Sequence, residues 1–543
     1  MRVRTMRSRA TGAPAVATVA VIVAVIVGAL FAPRTVVAQG VSLSAATIAD
    51  VNAAFDAGTL TAERLVELYL ARIEAYDQSG PALNTVLWLN DSALERAREL
   101  DRERARSGPR SRLHGIPVVL KDNVDTSDMP TTAGSLLLAG SVPPDDAFLV
   151  RRLRDAGAIV LAKVNMSEFA SGATMSSVGG WIRNPHDVDR TPSGSSGGTG
   201  AAIAAWFAQL GIGTDTGGSV RGPSTSNGIA GLKPTLGLVS RDGIVPLALS
   251  FDTGGPMARS VYDVAAMLDV IAGVDPDDPA TTGAADNIPG DYVSALDGDG
   301  LRGARIGVAR QFMGGDPEVD WVIEAGLHAM REAGATLVDV EVPRWLVDAK
   351  GDWYTTIRWR EFRDQIPDYL ATLQPGYPRT LADLVERSRR VTASTPDGGR
   401  PNPVRWTLFE EEEASGSLTD HEYVAMKEHG LPLARALLDG LMESEGLSAI
   451  VYPTSASRPS PVGGGGPSWD TPSATNLANL TGFPDLIVPA GFTTDGLPVG
   501  ISFFGTAFSE PTLLQLGYAF EQLTRARRDP VSTPALEGEM IGR

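Results

Sequence analysis

The chain has 543 residues, of which 43% are apolar and 21% charged, with a net charge of −18 and no cysteine. Those proportions belong to a globular protein with a large core. The acidic balance repels nucleic acid and anionic membrane, so neither is expected as a partner, and the lack of cysteine excludes thiolate nucleophiles and thiolate-held metals.

The first forty residues differ from the rest. Arg2, Arg4, Arg7 and Arg9 precede an apolar run from Ala15 to Ala32, and a small-residue site follows at Val36-Val37-Ala38. The pattern predicts a secretory signal peptide over 1–38, cleaved after Ala38, and a secreted or periplasmic protein. An uncleaved membrane anchor is the competing reading, since the run is nearly long enough to span. The leader carries five arginines and no acid, so cleavage leaves a charge of −18 − 5 = −23. A single domain is expected over 41–530.

The next element is LTAERLVELYLARIEAY (60–76), where Leu65, Leu68, Tyr69, Ile73 and Tyr76 share one stripe and predict a helix. A charged helix is expected over about 91–106. The apolar run from Ile116 to Leu120 reads as a buried strand with Lys121 at its carboxyl end. Helix and strand repeat over 145–163. A glycine-serine loop at 192–198 opens a helix of small residues, a turn is expected after Leu210, and a short strand leads to Ser219. The segment 276–447 is less regular, with helical patterns near 319–334 and 420–445 and a polar stretch near 393–404. A glycine-rich loop (461–470) precedes two strands, DLIVPAGF and PVGISFFG, and a closing helix, SEPTLLQLGYAFEQLT. Such alternation predicts an α/β fold, one large domain whose mixed β-sheet is covered by helices on both faces.

The chemical question lies in GIGTDTGGSVRGP (211–223). Two glycines before Ser219 permit a tight turn and let a ligand approach the backbone N–H groups. Successive N–H groups facing one way hold a developing oxyanion; a plain turn with a solvated serine would read the same. A serine nucleophile needs a base, yet none of His114, His186, His328, His421 and His429 is adjacent in sequence. Lysine is scarce: among 47 basic residues only Lys121, Lys163, Lys233, Lys350 and Lys427 are lysines. Arginine does not deprotonate, whereas a buried lysine does. A free lysine is neutral about once in 2,500 at pH 7, and lowering its pKa to about 7 removes roughly 4.6 kcal/mol of preference for the charged form. Burial among apolar residues without close carboxylates does this, and on a strand Asp122 would point away from Lys121. Other serine-enzyme patterns fail. No lysine lies three residues after a serine or begins Lys-Thr-Gly, and the GSSGG around Ser196 follows a segment that is no strand. No Gly-x-x-x-x-Gly-Lys-Ser/Thr phosphate loop is present.

HGIPVVLKDNVDT, PSGSSGGTGAA and GTDTGGSVRGPSTSNGIAGLKPT each resemble one signature block of the amidase signature family of serine hydrolases, in the family's order and spacing. SFDTGGPMARSVYD and the tail GFPDLIVPAGF to GLPVGISFFG look similar as well. The resemblance is strong over about 60–275, weaker over 448–528, and gives nothing to carry over for 276–447. It implies a triad of Ser219, Ser195 and Lys121, in which Ser219 attacks the carbonyl and its proton passes through Ser195 to a neutral Lys121. It further implies that N–H groups of Thr216, Gly217, Gly218 and Ser219 hold the oxyanion, and that water cleaves an acyl-enzyme. Ser195 is expected on a cis peptide, with Ser196, Asp215 and Arg221 in support. Neither cofactor nor metal is implied. Ser193 departs from the pattern, since the family usually has glycine there.

The expected function is hydrolysis of a carboxylic amide outside the cytoplasm. The tail somewhat resembles that of bacterial peptide amidases, which suggests a C-terminal peptide amide or a small aryl or alkyl amide. The glutaminase-type subunit of tRNA amidotransferases shares the signature but works in the cytosol, which the leader argues against. A secreted esterase, or a non-catalytic binding protein on an amidase scaffold, are the alternatives.

Overall fold

Residues 40–391, 401–464 and 471–542 are described by the computed structural model; the expected leader, most of the polar stretch 393–404 and most of the loop 461–470 lie outside the described residues. Eleven strands form one mixed sheet: β1 (Val86–Leu89), β2 (Pro117–Lys121), β3 (Ile159–Val164), β4 (Leu210–Asp215), β5 (Ala230–Lys233), β6 (Thr253–Ala258), β7 (Arg305–Val308), β8 (Thr336–Asp339), β9 (Ala449–Pro453), β10 (Asp485–Phe492) and β11 (Pro498–Phe504). Their spatial order is β8-β7-β9-β11-β10-β5-β6-β4-β2-β3-β1. β2 lies parallel to both β3 and β4, while β6 runs antiparallel to β4 and β5. β2, β3 and β4 are buried at every position, as continuous apolar runs must be when helices cover both faces of a sheet.

Six helices matter for the site and its support: α1 (Ala62–Tyr76), α2 (Gly197–Ala204), α3 (Arg221–Ser226), α4 (Arg344–Thr372), α5 (Pro403–Glu413) and α6 (Glu510–Thr524). α1 is capped by Thr61, whose hydroxyl accepts from the Arg64 amide. It buries Leu65, Leu68, Tyr69 and Ile73, while Tyr76 stays half-buried. The charged helix runs Ala93–Ser107, and α6 closes the chain's core as expected.

Three expectations need correction. The turn expected after Leu210 lies before it, because β4 begins at Leu210. The glycines that suggested a turn serve close packing: a Cβ on Gly211 would come 2.6 Å from the Thr199 methyl, and one on Gly213 2.7 Å from Met257 Sδ. Second, the described part of 276–447 folds largely into helices and also supplies β7 and β8, at one edge of the sheet. Third, the compact unit runs from Val41 to Gly542, past the expected limit of 530. Val41–Ser42 pairs antiparallel with Met540–Ile541, so the two ends of the unit are tied together.

Candidate active site

Strand ends build the site. Lys121 is the last residue of β2, and Thr214 stands near the end of the neighbouring β4. The crevice outside the carboxyl ends of parallel strands is where open α/β sheets place their ligands. Lys121 is fully buried, and its Nζ lies 2.7 Å from Ser195 Oγ, 2.8 Å from Thr214 Oγ1 and 3.4 Å from the Thr214 carbonyl. Asn123 Nδ2 also donates to Thr214 Oγ1, at 3.1 Å. Burial pulls the Lys121 ammonium down to about 7, against the opposing pull of Asp215 and Asp252.

Lys163, one residue before the end of β3, and Lys233, at the end of β5, are equally buried, but their surroundings differ. Lys163 donates to Thr131 Oγ1 at 2.7 Å and stands 3.7 Å from Asp122, which does point away from Lys121. Lys233 donates to the carbonyls of Pro234 and Phe483. Of these three lysines, only Lys121 meets a serine. The histidines do not compete. His114 bonds the Leu100 carbonyl, and His186 bonds that of Asn227 and is held down to about 4 by burial.

Ser195 and Ser196 lead into α2, and Ser219 leads from β4 into α3. The peptide bond between Gly194 and Ser195 is cis. Two backbone bonds stitch the segments: the Ser167 amide donates to the Ser195 carbonyl at 3.0 Å, and the Ser196 amide to the Ser219 carbonyl at 3.2 Å. Ser196 Oγ accepts from the Thr214 amide at 3.2 Å and donates to the Thr214 carbonyl at 3.1 Å. Ser219 is half-buried, and its Oγ has no hydrogen-bond partner among the described residues. Ser193 sits at φ +63°, a left-handed conformation that favours glycine, in keeping with the glycine the resemblance leads one to expect there.

Asp215 and Arg221 shape the loop between them. Asp215 Oδ1 accepts from the Gly218 amide at 2.8 Å, and Oδ2 from the Val220 amide at 3.0 Å. Arg221 Nε donates to Asp215 Oδ2, its Nη1 to Asp485 Oδ2 and its Nη2 to Asn479 Oδ1. Burial pushes the Asp215 carboxyl up, yet the Arg221 guanidinium and the bonds it accepts hold it well below the usual carboxylate range. One consequence touches the expected oxyanion donors. The Gly218 amide is committed to Asp215, so Thr216, Gly217 and Ser219 keep unpartnered amides among the described residues. Thr216 is fixed by its hydroxyl, which donates to Asp252 Oδ1.

A cleft of about 1420 Å³ opens beside this loop, lined by Gly194, Gly217, Gly218 and Arg221 on one side and by Val347 and Gly351 of α4 on another. Among the described residues no three or more His, Asp or Glu side chains converge as a metal site would.

The amidase family model matches residues 64–514. The chain belongs to the amidase family. A probable amidase of Arabidopsis thaliana is 34% identical over 90% of the chain and 92% of its own length. A glutamyl-tRNA(Gln) amidotransferase subunit of Chloroflexus aurantiacus is 37% identical, with 88% of this chain and 96% of its own length covered. The peptide amidase of Stenotrophomonas maltophilia superposes with a TM-score of 0.79 at 41% identity, covering 90% of this chain and 99% of its own. The protein is thus an amide hydrolase with the α/β amidase architecture. The family match includes 276–447, where sequence reading found no likeness.

Among the residues that surround Lys121 in this amidase, sequence reading missed Thr214 and Asn123. Thr214 lay inside the quoted block GTDTGGS, one residue before Asp215. Its strand alternation relative to Asp215 was the available sign that it faces the other side, towards Lys121.

Proposed function

We propose that this amidase works through an acyl-enzyme on Ser219, and the fully buried Lys121, 2.7 Å from Ser195 Oγ, is the observation that carries the reading. A neutral Nζ has a lone pair. Ser219 Oγ attacks the amide carbonyl while its proton moves to Ser195 Oγ and the Ser195 proton moves to Lys121 Nζ. The tetrahedral oxyanion takes hydrogen bonds from the amides of Thr216, Gly217 and Ser219. When the C–N bond breaks, the proton held on Lys121 returns through Ser195 to the leaving nitrogen. Water then enters, and the same relay removes its proton and restores the Ser219 hydroxyl. At a pKa of about 7 half of the Lys121 population is neutral at pH 7. The bond from Ser219 to Ser195 forms when substrate seats, since catalytic hydrogen bonds often close only in the complex.

The cleft of about 1420 Å³ exceeds the usual size of small-ligand sites, ~300–1,000 Å³, and so suits an extended substrate. With the likeness to a peptide amidase, this favours a C-terminal peptide amide. The arginine-led apolar stretch in 1–38 favours export, with cleavage after Ala38.

The test uses an amidated dipeptide and a fluorophosphonate. Ammonia release, with labelling mapped to Ser219 and abolished in Lys121→Ala, is the expected result. Labelling of folded protein at another residue, or none, overturns the Ser219 assignment. The amino-terminal residue of the exported protein decides the leader: Gln39 is expected.

A further inference from the structure

α4 forms one wall of the cleft. Val347 and Gly351 face it, and Tyr354 follows on the same stripe, seven and three residues further along. Its phenol reaches across to the serine loop. A Cβ placed on Gly217 would lie 2.6 Å from Tyr354 Oη and 2.7 Å from its Cζ, so the phenol rests directly on the Gly217 backbone. The ring is stacked on Phe251, with centroids 5.5 Å apart and planes at 27°. Tyrosine hydroxyls in such half-buried places normally find a partner, yet Oη has none among the described residues. Burial pushes the hydroxyl up to about 12, so it stays a donor at physiological pH.

In the neighbouring loop the amides of Thr216, Gly217 and Ser219 are unpartnered among the described residues, while Gly218, in the middle of the bend, gives its amide to Asp215. We propose that Tyr354 is a further catalytic residue, whose O–H donates to the substrate's carbonyl oxygen as it becomes the tetrahedral oxyanion, beside the backbone amides of Thr216, Gly217 and Ser219. The phenol keeps its proton throughout, and no bond to it is made or broken. Gly217 is then glycine for a second reason: any side chain there would push the donor away. The assignment rests on Ser219 as nucleophile.

Phosphonylation of Ser219 tests it without knowledge of the natural substrate, because the phosphoryl oxygen of a fluorophosphonate occupies the oxyanion's place. Tyr354→Phe keeps the ring and its stack and removes only the hydroxyl. Its second-order labelling rate is expected to fall roughly 100-fold, the low end of what one oxyanion donor supplies, with Tm unchanged. With an amidated dipeptide, kcat should fall while KM holds. A wild-type labelling rate in Tyr354→Phe overturns the assignment and leaves Ser219 standing. A slower rate accompanied by a lowered Tm marks a packing role and also overturns it. Failure of folded wild-type protein to label at Ser219 overturns both readings.

Discussion

Lys121 sits at about 7 because burial strips its ammonium of water, in spite of Asp215 and Asp252. In the unfolded chain the same lysine keeps its proton up to about 10.4. Between those values the unfolded chain binds the extra proton, so this group's contribution to stability rises with pH across the window. The contribution is complete above about 10.4 and is lost as pH falls towards 7. Lys121→Met removes the titration. Its stability relative to the wild type is therefore expected to be most favourable near pH 7 and to decline by about 1.4 kcal/mol per pH unit towards pH 10. Urea unfolding of both proteins across that range measures it; a difference constant with pH would mean that the lysine keeps its proton in the fold. Activity follows the same proton. kcat/KM on an amidated dipeptide should rise about tenfold per pH unit up to about 7 and then level off. A plateau reached only near pH 10 would refute the lowered pKa, since the lysine would then become neutral only there.

The strand ends hold these residues in place only if α2 can approach the sheet. A Cβ on Gly198 would come 2.1 Å from the Asn165 carbonyl oxygen and 2.8 Å from its carbonyl carbon and amide nitrogen. Those are backbone atoms just past β3, and backbone yields at high cost. Gly198→Ala is expected to destabilise by about 3 kcal/mol and to abolish Ser219 labelling, because Ser195 and Ser196 immediately precede the displaced turn. Gly440, exposed in the helix Leu431–Glu445 with nothing within 4 Å of a Cβ, is the control, where alanine should stabilise by about 0.5–1 kcal/mol. Equal unfolding midpoints for the two variants would remove the packing argument. This element shows what the sequence could convey. The short apolar run ending in Lys121 carries its own pattern, so β2 was legible, whereas a turn was expected where β4 begins, and Ser195 was reached only through the family resemblance. α4 was not legible. Pro367 interrupts it, a signal that ordinarily ends a helix, and it buries Arg358 and Glu361 among its apolar residues. Arg358 is sustained by Glu412 of α5 at 2.8 Å, and Glu361 accepts from Tyr423 at 2.9 Å. Those partners lie far along the chain, and no local periodicity announces them. Tyr354 was hidden with that helix. β7 and β8 failed to register because each is four residues long at a sheet edge.

At the scale of the whole molecule, the tail reaches back to the turn that joins α2 to β4. Arg72 of α1 is fully buried. Its guanidinium donates to both oxygens of Glu539, at 2.8 and 3.0 Å, to the Thr533 carbonyl at 2.8 Å and to the Ala205 carbonyl at 2.9 Å. It also lies over the Trp206 ring, 4.0 Å from its centroid. One cation thus ties the carboxyl-terminal tail to the residues between the helix that follows Ser195 and the strand that leads to Ser219. Exposed pairs such as Arg64–Glu67 are worth about 0–1 kcal/mol. Removing one partner of a buried pair is different, because the other charge is left without compensation, at about 3–5 kcal/mol. Glu539→Gln is therefore expected to lower stability by roughly that amount, read from urea unfolding, while kcat in the absence of denaturant stays near wild type, since no reacting group moves. Arg72→Met combined with Glu539→Leu should recover part of the loss, as apolar replacement of both partners removes the stranded charge. If Glu539→Gln costs no more than an Arg64→Ala control, the tail is a surface tie and the fold's effective end returns to the neighbourhood of residue 530. If it costs several kcal/mol and also slows Ser219 labelling, the tail sets the position of the catalytic turns as well as their stability.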